Sequence, residues 1–313
     1  MEKNKKLITQ RISKVICFLL IFTAFLGIGS KIFIPKKNSA EYGNKNYYGN
    51  SYHGERANSI DIVVVGNSSA YKSFSPLELW NKYGYTSFVC GAPAQKIQEG
   101  YYMLENFLKE QKPKVVIYET EGIFNSYGKK IKSSYNQAKR DLIFLSNEID
   151  GINATLDVVT ANICPLLKYH NRWSSLKPED FTLEPDYSKH YVSKGYVLTN
   201  KVKPYRGNKN YMKPSDYTTP IQYTNLYYLN KMKELCDKNG AEFVLMSSPL
   251  PRAWNDERHK AVKAYAEKNN IKYLDTNLYI DEMKIDWSKD SSDKGYHLNM
   301  YLSLIHISEP TRH

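Results

Sequence analysis

Three residues in this chain of 313 have the types and settings that acyl transfer needs. Ser68 stands in "IDIVVVGNSSAY", two residues after Gly66 at the end of an apolar run; His297 stands in "SSDKGYHLNM", with Asp293 four positions before it and Asp290 seven before it. A serine hydroxyl becomes a nucleophile when a base takes its proton. A carboxylate bonded to one imidazole nitrogen fixes the tautomer that leaves the other nitrogen as that base. The oxyanion that forms on the attacked carbonyl also needs donors. The backbone N–H of Ser68 itself is one candidate, and Gly91 in "FVCGAPAQ" allows close backbone approach at the same edge. Taken singly, Gly-Asn-Ser-Ser is ordinary turn vocabulary and Asp-x-x-x-His an ordinary loop pattern. Their combination within one repeating pattern carries the argument.

That pattern is an alternation of short apolar runs and helical periods. Strands are expected at 60–66, 86–91, 113–120, 241–248 and 271–276, and helices at 76–84, 96–111, 225–240 and 256–270. Ile97, Tyr101, Leu104 and Leu108 fall on one face of the second of these helices. Strands alternating with helices predict an α/β domain with a mainly parallel sheet covered on both faces, where ligands gather at the carboxyl ends of the strands. Ser68 follows one such end. Residues 125–220 break the rhythm and read as an insertion within the same domain. Within it, "LLKYHNRW" offers His170 and Arg172 as pocket candidates and Trp173 as a packing residue. Pro249, Pro251 and Trp254 in "SSPLPRAW" read as a rigid loop beside the sheet.

The N-terminus points to a membrane. Lys3, Lys5, Lys6, Arg11 and Lys14 outweigh Glu2 in residues 1–14, and the next fifteen residues, "VICFLLIFTAFLGIG", carry no charge. Residues 15–34 are long enough as a helix to cross a bilayer's hydrocarbon, and the basic flank predicts that 1–14 stay in the cytoplasm with the rest outside. No A-x-A-like site follows, so an uncleaved anchor is favoured over a signal peptide. Residues 35–56, polar and rich in Gly, Asn and Tyr, read as a tether, and 57–301 as the domain.

Composition narrows the function classes. With 42% hydrophobic and 24% charged residues the chain is globular, and its 44 Lys and Arg against 32 Asp and Glu give +12, spread in ones and twos. Scattered basic charge fits an anionic neighbourhood better than a nucleic-acid groove. There is no zinc-type Cys/His spacing, no phosphate-binding loop and no dinucleotide fingerprint, so neither a metal nor a cofactor is expected. Cys17, Cys90, Cys164 and Cys236 lie far apart, and no disulfide framework is expected.

The strand-end G-x-S, the glycine after the second strand and the terminal Asp/His pair resemble the SGNH (GDSL-like) hydrolase superfamily. The closer likeness is to membrane-anchored SGNH-like proteins of Gram-positive bacteria related to the D-alanyl-lipoteichoic acid proteins and to alginate-type O-acetylation proteins. It runs through "VVVGNSSAY", "GAPAQ", "KPKVVIYE", "PLLKYHNRW", "SSPLPRAW" and "YHLN". The resemblance implies a three-layer, flavodoxin-like α/β/α fold. It also implies Ser68 as nucleophile, His297 as base, Asp293 as its orienter and Gly91 as an oxyanion donor. Implied partners are an anionic glycan or teichoic acid and a membrane-embedded acyltransferase. Two departures stand out. The superfamily's aspartate sits three residues before the histidine, where this chain has Lys294, so either Asp293 reaches from one position further or Asp290 takes its place. The block after the third strand has Glu119 and Glu121 in place of an early asparagine, with Asn125 further on. One oxyanion donor is thus unassigned, with Asn67 and Gln95 as candidates.

The chain ends "LSLIHISEPTRH", which matches the translation of a transposon-based sequencing adapter; residues 302–313 are expected to be an assembly artefact that replaces the true C-terminal helix. His306 and His313 are therefore not site candidates. Sequencing the locus from unfragmented DNA should give a different continuation after about Tyr301, and recovery of the same codons would refute the expectation.

Overall fold

A computed structural model of the chain describes residues 2–33, 48–125, 166, 170–181 and 193–302. Most of the expected tether, much of the expected insertion, Cys164 and residues 303–313 lie outside the described residues. The chain divides into two compact units, Met1–Lys37 with Asn153–Asp186, and Asn38–Ile152 with Tyr187–His313.

In the first unit helix α1 spans Glu2–Phe33. It begins inside the basic stretch rather than after it, because Lys and Arg are good helix formers and nothing between them and the apolar run breaks the helix. The segment Lys6–Phe33 is long and apolar enough to cross a membrane, its most apolar 18 residues having a mean hydropathy of 2.2. Two 3-10 turns, His170–Ser175 and Pro178–Phe181, belong to the same unit.

The second unit is α/β. Strand β1 (Ile62–Gly66) leads into α2 (Ser68–Ser73) and α3 (Pro76–Tyr83). Then come β2 (Ser87–Gly91), α4 (Ile97–Glu110) and β3 (Val115–Glu119). The chain returns as α5 (Tyr223–Asn239), β4 (Glu242–Ser247), α6 (Asp256–Lys268) and β5 (Lys272–Asp275). All five strands are parallel in the order β2-β1-β3-β4-β5. This is the flavodoxin-like order, whose switch point lies between β1 and β3. The expected strands and helices are all present, with ends shifted by a residue or two.

Register explains the layers. Val63 and Val65 align with Phe88 and Cys90 on one side and with Val116 and Tyr118 on the other, and the latter pair aligns with Phe243 and Leu245. Successive side chains alternate faces, so these residues share one face, packed with Ile97, Leu104 and Phe107 of α4, Leu229 and Met232 of α5 and Val262 of α6. The opposite face carries Val64, Val89 and Met246 against Ala70, Tyr71 and Phe74. Both faces are therefore dry, which is why the strands read as continuous apolar runs. Local signals set the helix starts: the Ser75 side chain caps α3, whose first residue is Pro76, and Asn255 Oδ1 accepts from Arg258 N–H at 3.0 Å to cap α6.

At the carboxyl end of β1 the packing is tight. A Cβ on Gly66 would lie 2.8 Å from Glu119 Cβ and 2.9 Å from Ala70 Cβ, and one on Gly91 would lie 2.9 Å from the Gly66 carbonyl oxygen. Neither neighbour of Gly66 is a flexible side-chain end, so a methyl group there must push β3 or α2 aside. Gly66→Ala should cost about 1–3 kcal/mol of stability, as overpacking does. A urea midpoint unchanged from wild type would contradict this account.

Candidate active site

Ser68 is the first residue of α2, and Asn67 before it is the cap. The Asn67 side-chain oxygen accepts the Ser69 N–H at 2.9 Å. At the first helical position the Ser68 N–H has no intrahelical acceptor, so the same turn that presents the hydroxyl also presents a backbone donor. Gly91 closes β2 in register with Gly66. A Cβ on it would come within 3.3 Å of the Asn67 carbonyl oxygen, so Gly91 lies alongside the peptide that leads to Ser68.

His297 arrives from a loop on the far side of the sequence, 229 positions later, and its Nε2 lies 2.8 Å from Ser68 Oγ. Asp293 engages the same histidine twice. Its Oδ1 accepts the His297 backbone N–H at 2.7 Å, and its Oδ2 is hydrogen-bonded to the ring Nδ1. The four-residue spacing is absorbed by two of the three residues in between: Lys294 and Gly295 have φ of 67° and 95°, both left-handed. Gly295 has no alternative, because a Cβ there would lie 2.6 Å from the Tyr205 ring. Asp290 has another task, accepting the Asp286 N–H at 2.7 Å, while its own carbonyl accepts from Asn299 N–H at 3.0 Å.

The histidine loop is buttressed by residues 199–205, which sequence reasoning had assigned to the insertion. Lys203 N–H donates to Ser291 O at 2.8 Å, Lys294 N–H to Lys203 O at 3.0 Å, Met300 N–H to Thr199 O at 2.9 Å and Tyr205 N–H to Trp287 O at 2.9 Å. Tyr205, Trp287 and Leu298 form a small core beneath the loop. Just before this segment, Val89 N–H donates to Lys194 O at 2.9 Å along the outer edge of β2, which covers an otherwise open strand.

The loop after β3 carries acids where the resemblance led to an asparagine. Glu119 is wholly buried and its carboxyl is pushed up to about 8, first by burial and then by the charge of Glu121; N–H groups of Ser248 and Glu121 on its oxygens oppose the shift. Glu121 is hydrogen-bonded by the Asn67 amide and, at 2.8 Å, by the Asn125 amide. Both polar atoms of the Asn67 side chain are thus engaged in holding the turn. Gln95 is 2% exposed, and among the described residues neither its amide oxygen nor its nitrogen has a partner.

His170 and Arg172 belong to the first unit, where Arg172 pairs with Asp180 at 2.8 Å. Trp173, expected to pack, is 74% exposed. Short 3-10 turns have no continuous buried face to receive a ring. Trp254 is core, its indole N–H donating to Asp275 at 2.9 Å. Asp275 also bonds His259 Nδ1 at 2.8 Å, so a second histidine–carboxylate pair exists, built into the buried end of β5. Among the described residues no cluster of three or more His, Cys, Asp or Glu side chains is placed to hold a metal ion. Cys17, Cys90 and Cys236 are free thiols, and burial raises the last two.

No family model matches the chain, and no curated protein does. Among solved structures, one of a "putative acylhydrolase" from Bacteroides fragilis is similar over 85% of this chain and 91% of its own, at 13% identity and a TM-score of 0.36. At that distance the reading of the site is left to its geometry.

Glu119 yields a pH prediction. Its folded carboxyl, at about 8, keeps a proton that the unfolded one, near 4.5, has lost. Stability from this group is therefore complete below about pH 4.5 and declines as pH rises towards 8. Glu119→Gln should flatten that decline, whatever its effect on absolute stability. Urea midpoints taken from pH 5 to 8 check this, and parallel curves for the two proteins would exclude it.

Proposed function

We propose that this chain is a membrane-anchored serine esterase or O-acyltransferase that works outside the cytoplasm on small acyl esters of a cell-envelope polymer. The observation that carries the reading is the unbroken hydrogen-bonded line from Ser68 Oγ through the His297 ring to Asp293. In this reading His297 Nε2 takes the hydroxyl proton as Ser68 Oγ attacks the acyl carbonyl. The oxyanion is received by the N–H groups of Ser68 and Gly91. His297 then gives the proton to the departing alkoxide, leaving an acyl-serine. Water or a polymer hydroxyl attacks that ester and loses its proton to His297, which passes it to Ser68 Oγ as the free acid or the new ester departs.

Helix α1 supports membrane anchoring by its length and apolarity, and the basic residues at its start favour a cytoplasmic N-terminus. Exposed Lys201, Lys203 and Arg252 on the segments that pack on the histidine loop favour an anionic acceptor such as a teichoic acid or acidic glycan. A membrane-embedded acyltransferase is the natural donor partner, since a single helix has no channel for an activated acyl group. One observation favours a second, non-catalytic reading as a glycan-binding or assembly protein: the amide of Asn67 is committed to Glu121, and that of Gln95 is buried.

A serine-directed fluorophosphonate separates the two. The full chain in detergent micelles should be labelled, and Ser68→Ala should abolish the labelling and lower ester turnover by about a thousandfold or more. A folded wild-type protein that takes no label would leave the binding role.

A further inference from the structure

Helix α2 and the histidine loop meet at two points. Lys72 follows Ser68 by four residues, so the two side chains share a helix face, and Asp293 precedes His297 by four. At one point Ser68 Oγ meets His297 Nε2 at 2.8 Å. At the other, Lys72 Nζ lies 4.0 Å from Asp293 Oδ2, the oxygen that also holds the imidazole. The Lys72 side chain is 21% exposed and that of Asp293 33%, so the pair is more shielded than a surface ion pair.

We propose that Lys72 is a positioning residue that fixes the Asp293 carboxylate, in its charged form, against the Nδ1 side of His297. The inference rests on the reading of Ser68, His297 and Asp293 as a reacting set. The carboxylate sits at the start of a loop with two successive left-handed residues, Lys294 and Gly295, so its own backbone gives it no rigid element such as a strand. A cation on the neighbouring helix supplies that constraint. It ties Asp293 to the same short helix that presents the serine, and any shift of the loop moves both contacts together.

The other charged groups around the loop do not fill this place. Asp290 is bonded to the Asp286 N–H, and Lys294 takes part through its backbone N–H. Lys201 and Lys203 are exposed and hold the loop through main-chain groups, and the Arg252 guanidinium lies 5.3 Å from the centre of the Tyr296 ring. Among the described residues Lys72 is the lysine or arginine within ion-pair distance of Asp293. Burial pushes the Asp293 carboxyl up, but the hydrogen bond and charge of His297 and the charge of Lys72 outweigh it and hold it below the usual range.

The test compares wild type, Lys72→Met, Lys72→Gln and Lys72→Arg as full chains in micelles. Two readouts are used: the carbon-13 titration of the Asp293 carboxyl and the rate of fluorophosphonate labelling at neutral pH. Either neutral variant should move the Asp293 titration to higher pH and slow labelling by about three- to tenfold, while Lys72→Arg keeps both near wild type. Thermal melts show which variants are folded, and the readouts are taken from those. An Asp293 titration unmoved in a folded neutral variant overturns the proposal, even if labelling falls, because a lysine that only touched substrate would leave the free carboxyl unchanged. A shifted titration in a protein that never labels would instead keep the Lys72–Asp293 coupling and remove the catalytic reading.

Discussion

A methyl group on Gly66 would sit 2.8 Å from Glu119 and 2.9 Å from Ala70, so β1, β3 and α2 converge where only a hydrogen fits. The rest of the candidate site hangs on that approach. Because β1 can end flush against its neighbour, the chain turns at once, Asn67 caps, and Ser68 becomes the first residue of a helix. The switch point between β1 and β3 opens the sheet edge at this place, and the histidine loop descends onto it. A hydrogen bond between residues 229 positions apart is costly in chain entropy, and it is recovered by the elements that hold each end rather than by the bond itself.

The charge distribution follows from the same crowding. Glu119 is forced into the dry interior where β3 ends and stays neutral near pH 7. Glu121, two residues on, anchors Asn67 and Asn125. Glu119 is cut off from water, whereas Glu121 is only half-buried. On the other side of Ser68, Asp293 is the charged member, with His297 and Lys72 beside it.

Much of this was legible in the residues. Short apolar runs mark the strands, and periodic apolar positions mark α4. Ser68, His297 and Asp293 were singled out by type and spacing, and the structure brings those three together. What the residues did not disclose has a common physical basis. Residues 199–205 hold the histidine loop through main-chain groups, which every sequence possesses, so no pattern betrays them. Lys72 reads as one more helix lysine until the loop carrying Asp293 is laid against it. The choice between Asp290 and Asp293 depended on the left-handed backbone at Lys294, a conformation that a lysine does not advertise. Trp173 misled because aromatic size suggests burial, whereas a short turn offers no pocket for it.

The buttress at 199–205 has one more consequence. Lys201, Val202, Lys203 and Pro204 are exposed while their peptide groups brace the loop. Their side chains are thus uncoupled from the geometry of His297. Substitutions there can redraw the surface beside the site while Ser68 and His297 stay in register. Support of the loop and the exposed side-chain surface are carried by the same residues in different atoms, and they are free to evolve at different speeds.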